Sequence, residues 1–286
     1  MQLYIHHETL YRYERAVKHS VQSLHLTPRS EQRQRVVSWS LQAPGRQVPQ
    51  IDAHGNQSHL LTLDQPHDEI RIVVSGLVET DDKSSVVLGD AGCLSPLAYT
   101  TETPLTRVDA ALRDLALGGG AARSASRDDI LRLAEAVRGA IDYVPGATDA
   151  SNSAASALAL GRGVCQDHAH AMLACCRALR VPARYVSGYV LAADGEHVAS
   201  HAWVDVWLEQ EQGWFGFDVT NRHPVDGRHC RLAVGRDYLD ACPVRGVRRG
   251  GGAESLRATV LVSTSQDSHR QERQRLREMQ QAQMQQ

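Results

Sequence analysis

No apolar run in the 286-residue chain approaches the ~20 residues that a membrane-spanning helix needs. The first residues, Met1-Gln2-Leu3-Tyr4-Ile5-His6-His7-Glu8, hold no basic stretch followed by an apolar one, so no export leader is expected. No C-x-x-C occurs, and the six cysteines, Cys93, Cys165, Cys175, Cys176, Cys230 and Cys242, follow no repeating spacing. A disulfide framework or a zinc ribbon is therefore not expected. Neither charge sign is in excess: the formal net charge is -2, which argues against a general electrostatic role with nucleic acid or membrane. Aromatics are scarce, but the composition is otherwise that of a globular chain with room for a sizeable core and two domains. A cytoplasmic, thiol-reduced setting is the default expectation.

What the chain does have is Gly161-Arg162-Gly163-Val164-Cys165-Gln166-Asp167-His168-Ala169-His170-Ala171-Met172. Two glycines make a turn, and a helical pattern runs on through Leu173, Cys176 and Leu179. Cys165 then falls in the first helical turn, where unpaired N–H groups and the macrodipole favour thiolate over thiol. A lone cysteine is more often a buried small hydrophobe, so the decision rests downstream. His201-Ala202-Trp203-Val204-Asp205-Val206-Trp207 reads as a strand, and Gly213-Trp214-Phe215-Gly216-Phe217-Asp218 as a second. The short polar break at 209–212 makes them a hairpin. Cys165, His201 and Asp218 supply a nucleophile, a base and an orienter in helix–strand–strand order. Asp205 shares the strand of His201 but lies ~13 Å along it, too far to bond the same imidazole.

The segments Gly163-Val164-Cys165-Gln166-Asp167, Ser200-His201-Ala202-Trp203-Val204-Asp205-Val206 and Gly213-Trp214-Phe215-Gly216-Phe217-Asp218-Val219-Thr220-Asn221 resemble the core of the bacterial transglutaminase-like cysteine protease family. Ala233-Val234-Gly235-Arg236-Asp237-Tyr238 and Pro243-Val244-Arg245-Gly246 extend the likeness. Tyr11-Arg12-Tyr13, Leu26-Thr27-Pro28-Arg29 and Asp52-Ala53-His54-Gly55-Asn56 resemble that family's N-terminal domain. The resemblance covers nearly the whole chain, short of the last twenty or so residues. Val219 departs from it, standing where the family more often has proline. It implies an α+β fold with a papain-like, transglutaminase-like core of helices on an antiparallel sheet.

The order of elements predicts the same class. Residues 1–88 read as short strands broken by Pro, Gly and Asn turns, which suggests an N-terminal β-sandwich domain. Residues 89–104 read as a linker. Residues 105–264 read as helices followed by an antiparallel sheet, a segregated α+β pattern. Within them, 222–252 are rich in glycine and proline and read as loops suited to a substrate cleft, with a last strand over 256–262. Residues 265–286, rich in Gln and Arg, read as a disordered tail or frayed helix.

The chemistry implied is acyl transfer on an amide of a protein or peptide substrate. Cys165 is the nucleophile, His201 the base and Asp218 the orienter, with the Cys165 amide as an oxyanion donor. Asp167 reads as a cap for the helix start, because its charge beside the thiol would oppose thiolate formation. A metal site built on Cys165, Asp167, His168 and His170 would need four ligands to converge from one helix, where only Cys165 and His168 share a face. No cofactor is implied. Cys176 lies ~16 Å along the helix from Cys165, so Cys175 and Cys176 read as core rather than disulfide partners. Three functions remain open: a peptidase or amidase, a protein-glutamine cross-linking transferase, and a non-catalytic binding module on the same fold.

Overall fold

The computed structural model describes residues 1–82, 87–89, 94–119, 126–192 and 200–271, with 274, 275 and 278. Its elements are β1 (Gln2–Leu24), β2 (Gln34–Gln42), β3 (Arg46–Ile51), β4 (Gln57–Leu63), β5 (His67–Thr80), α1 (Ala110–Gly118), α2 (Arg127–Ala140), β6 (Asp142–Tyr143), α3 (Ala154–Leu160), β7 (Arg162–Gly163), α4 (Cys165–Ala178), β8 (Ala183–Val190), β9 (His201–Leu208), β10 (Gly213–Asp218), β11 (His223–Pro224), β12 (His229–Gly235), α5 (Tyr238–Ala241), β13 (Val244–Gly250) and β14 (Glu254–Ser263). The predicted α+β class holds. No helix among the described residues is long and apolar enough to cross a membrane.

The N-terminal strands form one curled seven-stranded sheet rather than the expected pair of separate sheets. The cause is the length of β1. Its first half pairs with β5 and β14, and its second half with β4 and β13, with the register broken between Arg12 and Val17. Gly250, Gly251 and Gly252, all at positive φ, let the β13–β14 connection follow that break, a conformation that a side chain would resist. Residues 244–263 thus belong to the first sheet, whereas the domain division read from the sequence placed them with the second. The 222–252 stretch also contains β12, buried along its whole length, where loop was expected. Arg231 interrupts its apolar run but is neutralised from within.

The second sheet has the order β11-β10-β9-β8-β12. Against it lies α4, flanked by α1, α2 and α3. Side chains cap the helix starts: Ser126 and Asp129 make reciprocal bonds at α2, and Ser153 caps α3. Of the expected linker, 89–104, residues 94–104 are docked, with Tyr99 buried edge-on against Trp214. In the predicted tail, residues 266–271 are helical, and His269 is buried near Tyr4 and His6; most positions beyond 271 lie outside the described residues.

The two sheets are joined by side chains that imitate a strand. β12 is an edge strand, and an unpaired buried edge is costly. Gln34 Nε2 donates to the Arg231 carbonyl (2.9 Å) while its Oε1 accepts from the Arg231 N–H (2.8 Å). Asn56 does the same for Val234, at 2.7 and 2.8 Å. Between the sheets, Asp205 is fully buried, accepting from Arg184 Nε at 2.9 Å and from two nitrogens of Arg231 at 2.5 and 3.0 Å. Arg231 continues to Glu31 at 2.9 Å, and the Arg184 guanidinium stacks on Trp214. Asn56→Ala strips partners from two buried backbone groups of Val234, so it is expected to lower unfolding free energy by roughly 2–4 kcal/mol. Urea denaturation checks this: the midpoint falls while the m-value stays unchanged.

Candidate active site

The turn into α4 is set from both sides. Gly161 ends α3 in the left-handed region at φ +67°. β7 then pairs with β6, fixing the direction of entry. Gly163 has no room for a side chain, since a Cβ would sit 2.6 Å from Asp167 Oδ2. Asp167 turns back on the helix start, accepting from the Val164 N–H at 2.8 Å and from Thr148 Oγ1 at 2.6 Å. That is the capping role read from the sequence. Cys165, half-buried, follows Val164, the N-cap, as the first residue of α4.

His201 opens β9 and Asp218 closes β10, brought level by the antiparallel hairpin. His201 Nε2 lies 2.7 Å from Asp218 Oδ2, and the Cys165 side chain is near enough to favour the imidazolium. With Nε2 engaged by the carboxylate, Nδ1 is the nitrogen left for sulfur. Burial would push the imidazole down. The charge and hydrogen bond of Asp218 outweigh it, Cys165 adds to them, and the value stands at about 10. Burial would raise Asp218, but His201 and then His229 hold it well below the usual carboxylate range. The His201 value exceeds that of an unfolded histidine. Its contribution to stability is therefore fully present below about pH 6.5 and lost as pH rises through about 10.

Sequence reasoning missed two supporting groups. Asn221 gives its backbone N–H to Asp218 Oδ1 (3.1 Å) and its side-chain amide to Oδ2 (2.7 Å). His229 places Nε2 3.1 Å from the same Oδ2. The Asp218-Val219-Thr220-Asn221 turn signal pointed to Asn221, but nothing local marked His229, which sits in the stretch read as loop.

The residues of the metal alternative are engaged separately. His168 contacts Thr220 Oγ1 and the Ile141 carbonyl, each at 2.9 Å, tying α4 to the turn after Asp218. His170 Nε2 accepts from the Tyr238 N–H, and burial lowers its value to about 3, keeping it neutral. Among the described residues, the one His/Cys/Asp/Glu group close enough to hold an ion is His201, Asp218 and His229, with ligand atoms within 4.8 Å of one another. Those atoms already bond one another. Asp205 is tied instead to Arg184 and Arg231.

Helix-borne Cys165 and strand-borne His201 and Asp218 thus sit on a core of helices packed on an antiparallel sheet. Residues 114–219 match the transglutaminase-like superfamily, and residues 3–79 the bacterial transglutaminase-like N-terminal region. An uncharacterized protein of Mycobacterium leprae is 33% identical over 90% of this chain and 96% of its own. One of Mycobacterium tuberculosis is 31% identical over 84% and 85%. The fold is shared with a protein of Cytophaga hutchinsonii proposed as a cysteine protease, with a TM-score of 0.73 and 22% identity over 92% of this chain and 90% of that one. The chain belongs to the transglutaminase-like superfamily.

The environments of the cysteines predict a ranking of reactivity. Cys175, Cys176 and Cys230 are fully buried and Cys242 nearly so. Burial pushes all four thiols up, Cys176 to about 12 and Cys242 to about 11. Among these five, brief iodoacetamide treatment at neutral pH followed by peptide mapping should label Cys165 first. Earlier labelling of Cys230 or Cys242 in the folded protein would remove Cys165 from the role of nucleophile.

Proposed function

We propose that this protein catalyses cysteine-dependent acyl transfer on an amide bond, as a peptidase or amidase. The observation that carries the reading is the 2.7 Å contact of His201 with the buried Asp218 carboxylate, beside the half-buried Cys165 at the start of α4. The Cys165 sulfur, as thiolate, attacks the amide carbonyl carbon. The carbonyl oxygen gains charge against backbone N–H groups at the start of α4, that of Cys165 first. The His201 imidazolium gives its proton to the departing amine, and a thioester remains. Water then attacks the thioester, His201 takes its proton, and the acid leaves with the thiolate restored. Asp218 stabilises the imidazolium and fixes its orientation throughout. The substrate class is a peptide or protein.

Peptide hydrolysis measured beside labelled-amine incorporation tests the reading, and incorporation in place of hydrolysis would reassign the acceptor from water to an amine. Cys165→Ala should abolish turnover. Asp218→Asn should fold and lose about 10²- to 10⁴-fold in kcat. Without the carboxylate, burial of His201 is opposed by Cys165 only, so the alkaline limb of the pH profile should move to lower pH. The double variant should be little worse than Cys165→Ala, because members of one catalytic unit are not additive.

Chelation makes a separate check on the metal alternative. Since the proposed steps use only a thiol, an imidazole and a carboxylate, turnover should be unchanged by EDTA. Loss of activity restored by zinc would transfer the chemistry to a metal site.

A further inference from the structure

Besides His201 and Asn221, Asp218 has a third partner, and it lies outside the triad. On one side stands His201. On the other stands His229, the first residue of β12, with a fully buried side chain. Its Nε2 is 3.1 Å from Asp218 Oδ2, the oxygen that His201 also uses. Its Nδ1 is 3.1 Å from Asp226 Oδ1. Asp226 is in turn clamped by Arg228 Nη2 at 2.7 Å and Nε at 2.9 Å, and Arg228 reaches His223 Nε2 at 2.9 Å. The ring of His229 stands edge-on to Trp203 at 5.2 Å. Rotation of the imidazole would break a bond at each nitrogen, so its orientation is set.

We propose that His229 is a positioning residue of this site, which holds the Asp218 carboxylate opposite His201 and draws off part of its negative charge. The inference rests on the acyl-transfer reading. A carboxylate that gives its full charge to one imidazole makes that imidazolium a weak acid, and the leaving amine needs a proton from it. A further N–H on the same oxygen, added to that of the Asn221 amide, reduces the pull while keeping the carboxylate aimed. His201 is already raised to about 10, so further strengthening of Asp218 would work against proton delivery. The titratable and charged groups facing His229 are Asp218 on β10, Asp226 and Arg228 on the preceding loop, His223 on β11 and His201 on β9. Across a small pocket that His229 helps to line stand Glu31, Arg33 and Arg231.

The test uses the full chain in three forms: wild type, His229→Leu and His229→Gln. Glutamine can place an N–H near the position of Nε2, whereas leucine fills the space without a donor. Thermal melts establish that each form is folded. His201 is followed by NMR titration of its imidazole, a readout that needs no substrate, and kcat and KM are measured on the amide substrate. In His229→Leu, His201 should titrate higher by about one pH unit. Its kcat should fall about 10- to 100-fold with KM little changed. His229→Gln should recover most of the kcat and bring the titration back toward wild type. A folded His229→Leu whose His201 titrates at or below the wild-type pH would overturn the inference, as would a glutamine variant no better than leucine. If wild type hydrolyses no amide, or Cys165→Ala retains activity, the acyl-transfer reading fails, while the titration still decides what His229 does to His201.

Discussion

A carboxylate without access to water must be compensated or it will not ionise, and Asp218 is such a group. Burying an isolated ion costs several kcal/mol even after relaxation. Three separate elements answer that cost: the start of β9 through His201, the start of β12 through His229, and the turn after β10 through Asn221. Each must arrive in the right register. β10 meets β9 with Phe217 opposite Val204, and His201 faces Gly188 of β8. A slip of one residue would turn Asp218 to the other face of the sheet. His168 adds a brace from the helix side, because its contact with Thr220 holds the turn against α4.

Asp205 shows how differently a second buried acid can be used. It lies four residues along the strand from His201 and is equally buried. Its partners, however, are two guanidinium groups, which hold their protons at any working pH. Arg231 presents a planar fork to it and passes the charge on to Glu31. The carboxylate beside histidines can support proton chemistry, whereas the one between arginines joins two sheets. The N-terminal sheet is thus part of the back wall of the site, since Glu31, Gln34 and Asn56 hold the strand that carries His229.

Much of this was legible in the sequence, and the reasons are local. Cys165 follows a glycine turn and begins a helix, the His201–Asp218 hairpin has a short polar connection, and the cap at Asp167 depends on neighbours three residues apart. The misreadings came from pairings across long separations. β12 did not read as a strand because Arg231, charged and buried, breaks its apolar run, and the partners that make it tolerable are Asp205 and Glu31. The single curled sheet was invisible because β1 finds half its partners beyond residue 243. His229 carried no motif, and only the fold brings it to the carboxylate.

The placement of β13 and β14 beside β1 has a consequence for the order in which the molecule can be made. β1 is synthesised well before some of its partners, since along one side they are residues 244–263. Until those residues emerge, a 23-residue strand keeps a long open edge, the kind of surface that invites pairing with another chain. The intervening helices and second sheet can be assembled earlier, from contacts nearer in sequence. The first sheet is thus begun first and closed last, and a chain cut before residue 244 lacks the strands that close it.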